Sequence, residues 1–248
     1  MDLTPGIIAL VAAAFFAAGS VKGLIGVGLP TVSIAILINA MPLREAITLI
    51  IAPAVISNVV QALTGGHALA LTRRFWLLCA FTVIFTWVGV GVLANSDQKL
   101  MSAIFGVVLT IYALIGLFRP APPQLGAAER WLSPIVGVIN GLINGLTGSY
   151  MMPSVIYFQS LGLKKDELIQ AMGIFFLVAG TALGVSLAGQ KVMSPGQIAV
   201  SAGALAPALA GYYFGQTLRR RLSEERFRQV FFVGLLLLGL YTIARTTL

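Results

Sequence analysis

Apolar stretches of roughly membrane-crossing length follow one another along almost the whole chain. They lie at about 5–21, 24–40, 43–63, 75–94, 100–118, 132–146, 150–162, 167–189, 196–217 and 227–246. Crossing a hydrocarbon core takes roughly 20 apolar residues in a helix, and these runs are continuous where a β-barrel would alternate. Only 10% of the residues are charged, against about a quarter in a soluble domain. The sequence therefore predicts an all-α polytopic membrane protein with about ten hydrophobic segments.

The chain divides into two similar halves. A proline- and charge-rich break at Arg119–Arg130 separates residues 1–118 from residues 132–248, with 119–131 as the linker. Four pairs of stretches match between the halves: Lys22–Gly26 with Asn144–Gly148, Leu43–Ile47 with Lys165–Ile169, Gly89 with Gly211, and Ser96–Lys99 with Ser223–Arg226. Since the first three pairs keep one constant spacing of 122 residues, we expect an internal duplication, which is common in transporters.

The distribution of basic residues predicts the orientation of the segments. With ten segments, one set of loops holds Arg73, Arg74, Arg119, Arg130 and the arginines of 219–228, while the opposite set holds Arg44, Lys99, Lys191 and Arg245. Basic loops are usually cytoplasmic, which also accounts for the net charge of +8 without a nucleic-acid partner. Five segments in each half make the duplication an inverted repeat. The alternative is eight spans, with residues 5–40 and 132–162 each crossing once.

Glycine and proline interrupt the first two segments of each half, which are predicted to be short. The interruptions fall within 19–30 and 137–153. Because glycine and proline weaken helices, and unwound backbone at membrane depth lies against protein or a water-filled cavity, matched broken segments indicate a transport site. The alternative is close helix packing, since Gly137, Gly141 and Gly145 form a small-residue ladder.

Lys22 is the most informative single residue. It lies in a broken apolar stretch, whereas all eight acidic residues fall at segment ends or in loops. A cation near mid-membrane costs at least about 2.5 kcal/mol and is a functional candidate, so an anionic ligand is its expected partner. The alternative is that Lys22 reaches the membrane interface. We expect a substrate site formed with uncharged donors and with glycines that shape it: Ser20, Thr31, Asn140, Asn144, Thr147, Ser149, Gly26, Gly28 and Gly148. Helix N-termini near Gly28 and Tyr150 are expected to add backbone N–H groups.

Enzymatic functions find little support in the sequence. One histidine and one cysteine cannot form a zinc site of the usual kind, so we expect no enzyme, metal or cofactor. The membrane-depth stretches also lack the acidic or histidine residues of a proton relay. An anion leaving a cell with a negative interior needs none, because the potential drives it outward, and this favours export.

The glycine-rich stretches Gly23–Pro30 and Gly145–Pro153 resemble the signature that opens each half in the TauE/SafE sulfite exporter family. The resemblance implies transport of sulfite, sulfoacetate or a related organosulfonate across a prokaryotic inner membrane. The chain departs from the signature at the glycine triplet, which is reduced to Gly26-Val-Gly28 and Gly148-Ser-Tyr. Two other functions stay open: a non-transporting membrane subunit and a passive anion channel. The pairs Gly180/Gly184 and Gly211/Gly215 predict either internal packing or a homodimer.

Overall fold

The computed structural model describes residues 4–118, 124–219 and 224–247, which form helices and connecting turns without any strand. Its helices are α1 Pro5–Ile25, α2 Leu29–Leu37, α3 Leu43–Leu49, α4 Ile51–Leu63, α5 Ala68–Arg74, α6 Trp76–Asn95, α7 Gln98–Phe118, α8 Glu129–Thr147, α9 Ser154–Gln159, α10 Lys165–Gly189, α11 Pro195–Gly203, α12 Leu205–Arg219 and α13 Glu224–Thr247. The predicted loop residues Arg119, Arg220, Arg221 and Ser223 lie outside the described residues. The prediction of an all-α membrane protein is confirmed.

Each predicted segment contains a helix, but the helices differ in length from the prediction. Within the described residues six helical stretches are long and apolar enough to span a bilayer: α1, α6, α7, α10, α11 together with α12, and α13. A seventh span arises if α3 and α4, bent by 40°, are counted together, and α8 is not among these candidates. The first segment of each half is not short, since α1 has 21 residues and α8 has 19. The second segments hold the short helices α2 and α9, of 9 and 6 residues, which rise only about 14 Å and 9 Å. Ten membrane segments therefore remain a prediction.

The chain forms two compact units that draw on both halves of the sequence. The first unit contains Met1–Pro53, Ser96–Pro120 and Met193–Leu248, and the second contains Ala54–Asn95 and Ala121–Val192. The first unit thus holds α1 to α3, α7 and α11 to α13, and the second holds α5, α6 and α8 to α10. The predicted repeats, 1–118 and 132–248, follow sequence similarity and are a different division of the chain.

In the first unit, α1 packs closely against α12. Glycines on both helices make the contact, and a methyl group on any of them would collide with a carbonyl oxygen opposite: Gly19 with Ala208, Gly23 with Tyr212, Gly211 with Phe16 and Gly215 with Ser20. Residue numbers rise together along the two helices, so α1 and α12 run parallel. Gly211 and Gly215 therefore serve internal packing.

In the second unit, α8 packs against α6 in the same way. A methyl group on Gly137, Gly141 or Gly145 would lie 2.7, 2.6 or 2.5 Å from the carbonyl oxygens of Leu78, Thr82 and Thr86, and one on Gly89 would lie 2.8 Å from that of Leu142. These two helices also run parallel, and the predicted packing role of the glycine ladder is confirmed. Gly89 faces Leu142, and Gly215 faces Ser20, which lies 122 residues before Leu142. By these contacts Gly89 is the counterpart of Gly215, whereas the sequence comparison matched it with Gly211.

The last segments of the two halves, α7 and α13, pack against each other within the first unit. A methyl group on Gly106 would lie 2.9 Å from the side chain of Ile243 and 3.0 Å from the carbonyl oxygen of Gly239, while Gly116 faces Phe232. Residue numbers rise along one helix as they fall along the other. The two helices are therefore antiparallel.

Candidate functional site

The helices α1 and α8 end in the same way, at glycines 122 residues apart. Gly26 has φ 85° and donates its N–H to Lys22 O at 2.8 Å, and Gly148 has φ 71° and donates to Asn144 O at 2.7 Å. This left-handed conformation costs other residues energy that glycine avoids. The repeated glycine signature therefore supplies a pair of helix C-caps, each four residues after a polar residue: Lys22 in the first unit and Asn144 in the second.

Lys22 lies in the last turn of α1, and only 6% of its surface is exposed. A lysine that reached the membrane interface would instead present its side chain at the protein surface. Its position also suits the partial negative charge of a helix C-terminus. The structure therefore encloses a basic side chain inside the first unit, at the break between α1 and α2.

Three other predicted residues of the first unit lie along this break. Gly28, with φ 107°, is the N-cap of α2, so the predicted helix start is confirmed there. Thr31 is buried in the first turn of α2. Ser20 donates its hydroxyl hydrogen to Phe16 O of its own helix at 2.8 Å, so the hydrogen predicted to face an anion is already engaged.

In the second unit, two asparagine amides tie the structure together. Asn140 Nδ2 donates to Tyr150 O at 2.9 Å and to Met152 O at 3.2 Å, which holds the unwound stretch after α8 against that helix. Asn144 Nδ2 donates to Thr86 Oγ1 at 3.1 Å and to Ala179 O at 3.0 Å, and so links α8 to α6 and α10. The amide hydrogens that the sequence assigned to an anion are therefore engaged within the protein.

The carbonyl oxygens of the same two side chains differ from their nitrogens. Asn140 and Asn144 are fully buried, and among the described residues neither Oδ1 accepts a hydrogen bond. The two Oδ1 atoms can therefore still accept hydrogen bonds, whereas the two amide nitrogens are already engaged as donors.

The stretch after α8 departs from the predicted helix start near Tyr150. The next helix, α9, begins four residues later at Ser154, with Pro153 as its N-cap. Thr147 Oγ1 donates to Ile143 O at 2.6 Å and accepts the N–H of Ser149 at 3.2 Å. Backbone N–H groups of a helix end are therefore not presented at Tyr150.

Sequence reasoning missed the side chains that support this stretch from a distance. Tyr150 is buried, and its hydroxyl accepts a hydrogen bond from Asn58 Nδ2 at 3.2 Å. Gln61, about one turn after Asn58 on α4, donates to Ile169 O at 3.0 Å. Thr86, a partner of Asn144, is one of two buried threonines a turn apart in the apolar helix α6, a pattern that could have marked it.

A pocket of about 390 Å³ lies within the first unit, where α2 and α13 end and α7 begins. Two exposed basic residues line it, Lys99 and Arg245, together with Ser102, Thr242 and Thr246. Arg245 also donates to Asn39 O at 2.9 Å. Sequence reasoning placed both cations on one side of the membrane but could not bring them together, because they are far apart in the chain.

Comparison with known proteins identifies a family. The family model described as Sulfite exporter TauE/SafE matches residues 11–242. No curated protein and no solved structure matches the chain.

Proposed function

The chain belongs to the sulfite exporter TauE/SafE family, and from this premise we propose that it exports a small sulfur-containing anion. Sulfite, sulfoacetate and related organosulfonates are the substrates that we infer, and the inner membrane of a prokaryote is the inferred location. The family match covers most of the chain, and the long apolar helices make the protein a multi-pass membrane protein. Transport, and not catalysis, is the activity consistent with this family.

The observation that carries the anion proposal is the enclosure of Lys22. Its side chain is 6% exposed within a helix of membrane-spanning length. Intramembrane basic residues usually face a bundle interior or an aqueous cavity and mark an ion or substrate pathway. We therefore assign Lys22 as the principal anion contact, with Ser20, Gly26, Gly28 and Thr31 around it. In the second unit, Thr147, Gly148 and Ser149 are proposed as further pathway residues. Asn140 and Asn144, whose amide hydrogens are engaged within the protein, are proposed to support that stretch without contacting the anion.

We also propose that the two halves are inverted repeats of five membrane segments each. Three features support this arrangement: the matched C-caps, the two parallel glycine contacts, and the antiparallel packing of α7 against α13. The last feature is the most specific, because equivalent helices of a same-orientation repeat would run in one direction. A crossing at the second segment would require α2 together with the turn at 38–42, since α2 alone is too short.

The pocket at Lys99 and Arg245 fits the outer end of an anion pathway. These cations belong to the loops that the charge bias places outside the cytoplasm, and Ser102, Thr242 and Thr246 line the pocket with them. A cleft lined by one sign of charge raises the local concentration of the opposite ion. We propose that the exported anion leaves through this pocket.

The proposal is tested by measuring flux into and out of proteoliposomes with sulfite and with sulfoacetate. We expect saturable flux that shows counterflow, which a carrier gives and a passive channel does not. Flux that fails to saturate would instead establish a channel. No flux of any tested anion would favour a non-transporting subunit and overturn the proposal.

The role of Lys22 is tested separately with Lys22→Asn, which gives α1 the residue found at the equivalent point of α8. We expect sulfite affinity to fall at least about 10-fold, because a hydrogen bond to a charged group contributes about 1.5–3 kcal/mol. Lys191→Asn is the control, since Lys191 is exposed and has a φ of 57°, which asparagine tolerates. Unchanged affinity in a folded Lys22→Asn protein would leave Lys22 with a structural role only.

A further inference from the structure

Two buried asparagine side chains with unsatisfied oxygens lie on one face of α8. Asn140 and Asn144 are four residues apart, which places their side chains on the same side of the helix. Both residues have no exposed surface, and neither Oδ1 accepts a hydrogen bond from the described part of the chain. Because buried polar atoms are nearly always satisfied, this pair of oxygens calls for a ligand that brings hydrogens or positive charge.

The neighbouring carbonyl groups determine that the oxygen of each amide, and not the nitrogen, is the unsatisfied atom. Turning the Asn140 amide around would set its oxygen against the carbonyl oxygens of Tyr150 and Met152, which now accept its hydrogens. Turning the Asn144 amide would set its oxygen against Ala179 O. Oxygen atoms with lone pairs repel one another at such distances, so the unsatisfied groups are acceptors in both cases. An anion is therefore the wrong ligand for this pair.

The equivalent point of the first unit holds a cation. Lys22 lies 122 residues before Asn144, and each precedes its αL glycine cap by four residues. The C-terminal end of a helix carries a partial negative charge, which favours a cation nearby. In α1 the lysine ammonium supplies that cation covalently, whereas in α8 the same helix position offers oxygen atoms only.

We propose that the oxygens of Asn140 and Asn144 bind a monovalent metal cation of the Na+ type. Unwound backbone carbonyls and helix C-terminal ends coordinate Na+ in transporters with broken helices, and asparagine carbonyl oxygens are ligands for hard cations as well. A divalent ion normally needs carboxylate ligands, and the described residues contain no group of three or more His, Cys, Asp or Glu side chains that could hold one. The neutral oxygen pair thus matches a single positive charge. This inference does not depend on which anion the protein transports.

The test is equilibrium binding of radioactive Na+ to the purified full-length protein, with choline as the replacement cation and no sulfur anion present. Asn144→Lys places a tethered ammonium where the ion is proposed to bind, as Lys22 does in α1. Asn95→Lys is the matched control, because Asn95 is an exposed amide on α6. Size-exclusion chromatography in detergent establishes that each variant is folded.

We expect saturable binding of one Na+ per chain to the wild type and to Asn95→Lys, and binding at least 10-fold weaker to folded Asn144→Lys. Equal binding to the wild type and to Asn144→Lys would overturn the proposal. The wild-type protein alone also tests the proposal. Absence of saturable Na+ binding to it would mean that buried water satisfies the two oxygens, and would overturn the proposal.

Discussion

The end of α1 in the first unit and the end of α8 in the second unit share one backbone and differ in one side chain. Each helix packs in parallel against a partner through glycines and stops at a left-handed glycine whose N–H bonds to the fourth residue before it. That residue is Lys22 in α1 and Asn144 in α8. The first unit therefore encloses a positive charge where the second encloses an unsatisfied acceptor oxygen.

Under the proposed duplication, the two halves keep the same packing while their proposed ligands differ, an anion at Lys22 and a cation at Asn144. The glycines are constrained by contact with carbonyl oxygens opposite, and neither copy can change them without losing its helix pair. The residue four positions before the cap is free of that constraint. It is consequently the position at which one copy can favour an anion and the other a cation.

The largest effect is expected from breaking the shared packing. Gly23→Leu and Gly145→Leu would each drive a side chain into a carbonyl oxygen, that of Tyr212 in the first unit and that of Thr86 in the second. Because the backbone opposite cannot move aside as the end of a flexible side chain can, we expect both variants to lose the peak of the folded protein in size-exclusion chromatography. Gly6→Leu is the control, since nothing lies within 4 Å of a methyl group at Gly6. If only one of the two variants loses the fold, the packing of the units is not equivalent.

A smaller and equal effect is expected at the two caps. Gly26→Ala and Gly148→Ala place a Cβ on residues with φ of 85° and 71°, which costs about 1–2 kcal/mol. A methyl group at Gly26 meets nothing within 4 Å, so the cost there is conformational. We expect melting temperatures lower by about 2–8 °C for each variant, and a smaller loss for Gly26→Asn because asparagine adopts this conformation more readily. An unchanged melting temperature would contradict the capping role.

The smallest effect is expected at the pocket of the first unit. Lys99→Gln and Arg245→Gln remove exposed charges that attract an anion without enclosing it, and exposed charges act weakly and are screened by salt. We expect the apparent sulfite affinity in a flux assay to fall about 2- to 5-fold at low ionic strength, with the difference vanishing at high salt. Arg73→Gln, an exposed arginine of the second unit, should leave the affinity unchanged. A salt-independent loss would place the pocket within the binding site itself.

The sequence predicted the membrane class and the position of every main helix, because continuous apolar runs and proline breaks are local signals. It also located the breaks near Gly26 and Gly148. It did not predict that these glycines act as caps, which leaves α1 and α8 at full length and shortens the second segments. Whether a glycine ends a helix or interrupts it depends on its φ, and composition does not reveal φ.

The sequence could not predict whether Asn140 and Asn144 offer donors or acceptors to a ligand, and the reason is different. The predicted donors of Asn144 are used by Thr86 and Ala179, residues distant in the chain that only tertiary packing brings to it. Likewise, α9 begins at Ser154 and not near Tyr150, and Asn140 donates to the carbonyl oxygens of Tyr150 and Met152 in the stretch before it. Long-range hydrogen bonds thus changed the expected anion donors into acceptors.

The contrast between the two helix ends is tested most directly by ligand-induced shifts in melting temperature, measured with choline sulfite and with sodium gluconate. A ligand at about 100 times its Kd stabilises the folded state by about 2.7 kcal/mol, a shift of about 5 °C or more. We predict that Lys22→Asn loses the shift caused by sulfite and keeps that caused by Na+, while Asn144→Lys shows the reverse. Loss of both shifts in each variant, or of neither, would contradict the assignment of opposite ligands to the two ends.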